Sequence, residues 1–148
     1  MGGRLHRLLD RIFGKAEEIN GAERCPTYMY RWVVAARERG KLYLHKFIGD
    51  DWAIDLHDHP KRFVSIGVWG RYIEHLDDDA VKIWTAPWVR SFTAEHCHRL
   101  TLAPGETCWT LVWVGKPERR WGFWQDGSFI PWRDYVNGPA GDRGQACE

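Results

Sequence analysis

The sequence lacks most of the features that place a protein quickly, and each absence removes a class. No apolar run approaches the roughly 18 residues of a membrane span. The opening MGGRLHRLLDRIFGK has no uninterrupted apolar stretch of the kind a secretion signal needs. A cytoplasmic protein without a membrane partner is the expectation. Charge of one sign is missing too: 21 Lys and Arg against 20 Asp and Glu leave a net charge of +1, which provides no broad basic footprint for a nucleic acid. Cys25, Cys97, Cys108 and Cys147 show no CxxC spacing, which argues against a zinc knuckle or disulfide framework and for isolated, mostly reduced thiols. The chain also has no Gly-rich phosphate loop, no G-x-S-x-G elbow and no HExxH helix, which argues against the chemistries those motifs carry.

What remains is a chain of 148 residues, enough for one domain with a single core, and unusually rich in tryptophan, with ten. Indole offers a flat face and an N–H donor, so some of these residues are expected to line a cavity and others to fill a β-structured interior. Residues 1–22 form an N-terminal helical segment. Between residues 4 and 19, Leu5, Leu8, Leu9, Ile12 and Phe13 recur at helical spacing, with Arg4, Arg7, Arg11 and Lys15 elsewhere on the wheel. The stripe is expected to dock on protein, either the domain itself or the other half of a homodimer, rather than on lipid.

Residues 26–136 read as a β-domain, in which short β-branched and aromatic runs alternate with turn signals. YMYRWVVAA and KLYLHKFIG form a hairpin. RFVSIGVW, RYIEHL, AVKIWTA, WVRSFTA, HCHRLTL, TCWTLVWVG and RWGFWQ follow, broken at Gly70, Asp77-Asp78-Asp79, Pro87, Pro104-Gly105 and Lys116-Pro117. This spacing predicts an all-β antiparallel sandwich or barrel. A further turn of structure is expected at PWRDYV, and the Gly-rich polar residues 137–148 are expected to be a disordered tail.

The chemistry concentrates in histidines. His57 and His59, in LHDHPKRF, share strand parity and lie about 7 Å apart at the backbone, close enough for both rings to reach one ion. Asp55 has the same parity. In HCHRLTL, 39 residues after His59, His96 and His98 share a face with Leu100 and Leu102, so that face looks inward. Inward imidazoles among apolar neighbours need partners, and a cation supplies one. A metal site on His57, His59 and an inward histidine of HCHRLTL, His96 or His98, is therefore expected, with Asp55 and Glu95 as additional candidates. His6 and His75 are expected to be exposed, and His45 to be a core or rim residue.

The stretch HDHPKRFVSIGVWG, from His57 to Gly70, resembles the first motif of the cupin superfamily, an HxH pair followed at fixed spacing by a glutamate and a glycine. Phe63 stands where that glutamate would be. The second cupin motif is matched only at His98, since Thr93 and Glu95 replace its proline and glycine. The chain is also similar to small phage and bacterial cupin-like proteins with HxHP, AExxHR and WGF segments, here at His57–Pro60, Ala94–Arg99 and Trp121–Phe123. The resemblance, over roughly residues 28 to 125, implies a small cupin-like jelly-roll barrel behind an N-terminal amphipathic helix.

The implied site, on His57, His59 and His98, is similar to the three-histidine centre of thiol dioxygenases. It would hold one divalent transition metal, with iron(II) favoured and nickel, zinc, copper or manganese admitted by the same ligands. Three neutral imidazoles leave the metal its full charge, which favours a small anionic ligand. Arg62, Arg90, Arg120, Trp69 and Trp121 are expected to bind that substrate, the arginines by bidentate pairing. Two functions follow: a metal-dependent cupin enzyme, foremost an oxygenase, or a non-catalytic cupin that binds a nucleotide, a sugar or another ring-containing ligand.

Overall fold

A computed structural model describes residues 2–21 and 25–138. Helix α1 spans Gly2–Phe13. It stops earlier than the apolar spacing predicts, because Gly14 takes a left-handed conformation at φ 87°. Residues Glu17–Ile19 become strand β1, pairing antiparallel with the first long strand, β2, Met29–Arg37. The rotation of α1 also differs from expectation. Asp10 Oδ1 accepts the indole N–H of Trp32 at 2.8 Å, and His6 sets its ring edge-on to Tyr30 and Trp32. This polar anchor turns the helix so that Leu5, Leu8 and Ile12 are 48%, 51% and 60% exposed. Their stripe therefore does not dock on the domain.

Strand β2 forms the expected hairpin with β3, Gly40–Phe47. After the two-residue β4, Leu56–His57, strand β5 runs from Phe63 to His75 without the break expected at Gly70. A register shift between Gly67 and Trp69 bends the strand. Gly70 lets the bend pass close to its neighbour: its φ is 80°, and a Cβ there would meet the Thr107 carbonyl oxygen at 2.0 Å. Strands β6 (Val81–Thr85), β7 (Trp88–Phe92), β8 (Arg99–Thr101) and β9 (Cys108–Val114) complete the larger sheet, ordered β1-β2-β3-β9-β5-β6 with β7 and β8 also paired to β5. Strands β10 (Gly122–Gln125) and β11 (Ser128–Pro131) form a smaller sheet with β4, and α2 covers Trp132–Asn137.

The strand alternation decides what lies between the sheets. Tyr43, His45 and Phe47 of β3, Thr110, Val112 and Val114 of β9, and Phe63 and Ser65 of β5 all face one interior cavity of about 480 Å³. His57 and Phe123, paired across β4 and β10, close it from the smaller sheet. Trp52, Ala53, Phe123 and Tyr135 form a compact cluster, and the first three of them also line the cavity. On the sheet face away from the cavity, Trp32 is buried against α1 and its ring stacks on that of Trp109 at 5.9 Å.

Cys97 and Cys108 are free thiols whose pKa values are pushed up to about 12, chiefly by burial. Cys25 is disulfide-bonded, against the expectation of isolated thiols. Among the described residues no helix is long and apolar enough to cross a membrane. Residues 139–148 of the expected tail lie outside the described residues.

Candidate metal centre

The site is assembled by backbone pairing at the mouth of the smaller sheet. His57 and His98 form an isolated antiparallel bridge, with both N–H groups donating to the opposite carbonyl at 2.9 and 3.0 Å. The His59 N–H donates to the Ala94 carbonyl at 2.9 Å. Between the two histidines Asp58 points the other way and is buried. It accepts from the Gly122 N–H, the Trp124 indole and Arg119, the last at 2.7 Å. This staple ties the His-Asp-His segment to β10, so alternation sends both imidazoles to the cavity side.

The result is a close triad. One ring nitrogen from each of His57, His59 and His98 lies within 4.8 Å of the others, and Nε2 of His59 is 3.1 Å from Nε2 of His98. Burial lowers the pKa of His57 to about 4 despite the nearby Asp51 carboxylate, and burial with the neighbouring His98 lowers that of His59 well below its usual value. Both rings are therefore neutral near pH 7, the form that ligates metals.

Behind the triad stands a residue the sequence reading did not single out. Glu74, with its side chain 0% exposed, accepts from His98 Nδ1 at 2.9 Å and from His96 Nε2 at 2.8 Å through one oxygen. Its other oxygen accepts from Arg90 and from the Trp84 indole, each at 2.9 Å. Burial alone would raise this carboxyl's pKa, but these hydrogen bonds, with the His98 and Arg90 contacts, hold it far below the usual range. A carboxylate can only accept, so His98 donates from Nδ1 and its lone pair sits on Nε2, facing the triad. That is the tautomer a metal-binding imidazole requires, oriented by the carboxylate behind it. On His57 the corresponding neighbour is Asp51, 3.7 Å from Nδ1. The residues present thus fit a divalent metal.

Glu74, His96 and His98 also form a group with ligand atoms within 4.8 Å. It is a closed hydrogen-bonded network, since both carboxylate oxygens are already occupied. His96 is therefore tied to Glu74 rather than to His57 and His59. The grouping of His57, His59 and His98 includes no carboxylate. Asp55 faces away and accepts from the Tyr135 hydroxyl at 2.8 Å and the Gln125 amide at 3.4 Å. Glu95 is exposed. Phe63, in the place of a cupin glutamate, packs edge-on to His59 at 4.7 Å and stacks on Phe92 at 4.5 Å, giving the triad an apolar wall.

The expected substrate residues divide sharply. Trp121 lines the cavity, 6.5 Å from the His57 ring. Arg62, with its side chain 71% exposed, pairs with Glu118 on the surface. Trp69 projects from the outer face of β5, 71% exposed, because the bulge at Gly67 to Trp69 shifts the alternation. Arg120 is exposed. Arg90 is interior but committed to Glu74, and its guanidinium lies over the Trp84 and Phe92 rings. His6 and His75, expected to be exposed, are half-buried, and His75 Nε2 is 2.8 Å from the Thr101 hydroxyl.

No protein-family profile and no curated protein matches the chain. Its fold has clear counterparts among solved structures. The polyketide cyclase RemF from Streptomyces resistomycificus is similar over 90% of this chain and 92% of its own, at 15% identity and a TM-score of 0.63. A conserved protein with a double-stranded β-helix domain from Klebsiella pneumoniae matches over 80% of this chain and 95% of its own, at 14% identity and a TM-score of 0.55. A structure of the DMSP lyases RdDddP and RnDddQII matches over 75% of this chain and 62% of its own, at 16% identity and a TM-score of 0.57. The chain thus has the double-stranded β-helix fold, in keeping with the jelly-roll barrel expected from its first histidine motif.

Proposed function

We propose that the protein is a metal-dependent cupin enzyme that holds one divalent transition metal on His57, His59 and His98 and acts on a ring-bearing, mostly apolar molecule through an anionic oxygen. The observation that carries this reading is the placement of three imidazoles on the wall of an aromatic cavity of about 480 Å³, a size that accepts a drug-sized ligand. With iron(II) the centre would supply dioxygen activation, and with zinc Lewis-acid polarisation.

The chain's own residues define the rest. Glu74 fixes the His98 tautomer, and the Phe63, Phe92 and Trp121 rings keep the region beside the triad apolar. The ligand's single negative charge would then be compensated at the metal rather than by an arginine, since Arg62 and Arg120 lie outside and Arg90 is paired. The fold-level likeness to a polyketide cyclase is in keeping with a ring-bearing substrate. Oxygenase activity is the foremost reaction class.

Elemental analysis of untagged protein tests the centre: about one metal per chain is expected, lost in a His57→Ala, His59→Ala double variant. Oxygen uptake by the iron(II)-loaded protein with ortho-dihydroxy aromatic compounds tests the reaction class. Full metal occupancy without turnover or oxygen uptake would favour the non-catalytic binding protein. Unchanged metal content in the double variant would refute the centre.

A further inference from the structure

The cavity carries polar atoms that the metal centre does not use. His45 Nε2 and Thr110 Oγ1 are buried side-chain atoms with no hydrogen-bond partner among the described residues. The two residues are directly paired across β3 and β9, and both line the cavity. Buried polar atoms without partners are costly and rare, and a pair of them on one cavity wall calls for a shared partner. The ring neighbours of His45 are Tyr43, stacked at 5.8 Å, and Phe47, edge-on at 5.9 Å. Those of the triad are different residues, Phe63, Phe92, Trp121 and Phe123. The pair thus occupies a separate part of the wall. Trp88 Nε1 is also unpartnered, but Trp88 does not line the cavity.

We propose that His45 and Thr110 form a second recognition point that hydrogen-bonds an uncharged oxygen, a hydroxyl or a carbonyl, on the ring system of the ligand. The inference rests on the reading of the cavity as the ligand site. An uncharged group fits because the ring of His45 is neutral and the guanidinium of Arg31 beside it is already paired. Burial, with the nearby Arg31, lowers the His45 pKa to about 3, so the ring is neutral. Arg31, the cross-strand neighbour of His45, is paired to Glu17 at 2.7 Å. Thr110 supplies a hydroxyl that both donates and accepts, and the neutral imidazole either donates or accepts according to its tautomer. The pair therefore suits either oxygen chemistry and rejects a bare hydrocarbon edge.

Equilibrium dialysis of the metal-free full chain with naphthalene and 2-naphthol isolates one oxygen on one ring system. The wild type is expected to bind 2-naphthol about tenfold more tightly than naphthalene. Thr110→Val and His45→Phe should each bring that ratio to within twofold while naphthalene still binds, which shows the cavity intact. His45→Gln should keep most of the preference, and His59→Ala should keep all of it. A wild-type ratio near one would overturn the proposal, leaving the pair to internal water. So would a preference abolished by His59→Ala and untouched by His45→Phe, because the oxygen would then lie at the triad. Failure of both compounds to bind would overturn the proposal together with the ring-bearing substrate, whereas the metal centre is judged separately by metal content.

Discussion

Replacing Glu74 with Gln preserves shape and removes one charge, and the structure sets what that charge does. The side chain is fully enclosed, and the Arg90 it pairs with at 2.9 Å is only 14% exposed. Breaking a buried pair from one side typically costs about 3–5 kcal/mol because the remaining charge stays buried. Gln keeps an oxygen that accepts one bond, so a loss of roughly 2–4 kcal/mol is expected, read by guanidinium denaturation of the metal-free protein. The second consequence reaches the triad. Gln has one acceptor oxygen, and where that oxygen turns to keep Arg90 and the Trp84 indole, its amide N–H₂ opposes the imidazole N–H groups of His96 and His98. His98 then loses its fixed tautomer, and zinc affinity measured by calorimetric titration should fall about 10- to 100-fold. Glu106→Gln, which alters a surface pair with Arg71, should leave zinc affinity unchanged. Zinc affinity within twofold of wild type in a folded Glu74→Gln protein would refute the claim that this carboxylate orients His98.

Asp55→Asn and Glu95→Gln should each leave metal stoichiometry intact, because neither carboxylate belongs to the grouping of His57, His59 and His98; near-complete metal loss in either, with unchanged circular dichroism, would make that carboxylate a ligand. His45 titrates near pH 3 in the fold against 6.5 unfolded, so its contribution to stability is fully present above pH 6.5 and is lost as pH falls toward 3. Between pH 6.5 and 4.5 the wild type should lose roughly 1 kcal/mol per pH unit more than His45→Phe does, and equal slopes in denaturation would count against a buried neutral ring. Leu8→Ser and Ile12→Ser should change the stability of a monomer by less than about 0.5 kcal/mol, since both side chains are exposed; a larger loss that depends on protein concentration would show the stripe covered by a second copy.

Much of the fold was legible because its signals are local. The turn residues between β2 and β3, and the runs that became β6, β7, β9 and β10, carry period and punctuation within a few residues of one another. The same holds for His57 and His59, whose shared parity survives in the structure as rings 5.1 Å apart. The errors come from long-range contacts. The rotation of α1 is decided by one bond between Asp10 and Trp32, 22 residues apart, which overrides a regular apolar stripe. The faces of Trp69 and Glu74 depend on the bulge after Gly67, which no alternation pattern announces. The sequence did hold a signal for Glu74: a carboxylate next to Ile73 and sharing strand parity with Tyr72 calls for a partner, much as an inward histidine does.

The arginines show the same logic applied to function. A count of Arg62, Arg90 and Arg120 near tryptophans points to a pocket that grips anions, yet the structure spends the interior guanidinium of Arg90 on Glu74 and keeps the other two outside. Most charge around the cavity is already matched: Arg90 is paired with Glu74 and Arg31 with Glu17, His57, His59 and His45 are neutral, and the buried Asp51 carboxylate lies 3.7 Å from His57 Nδ1. A metal dication on the triad would add two positive charges beside that one carboxylate, an excess that draws an anion. An anion admitted there should bind at the metal or not at all, while the rest of the ligand is selected by ring shape and by whichever oxygen meets His45 and Thr110. Recognition and charge neutralisation are then separate tasks, set on different stretches of one wall.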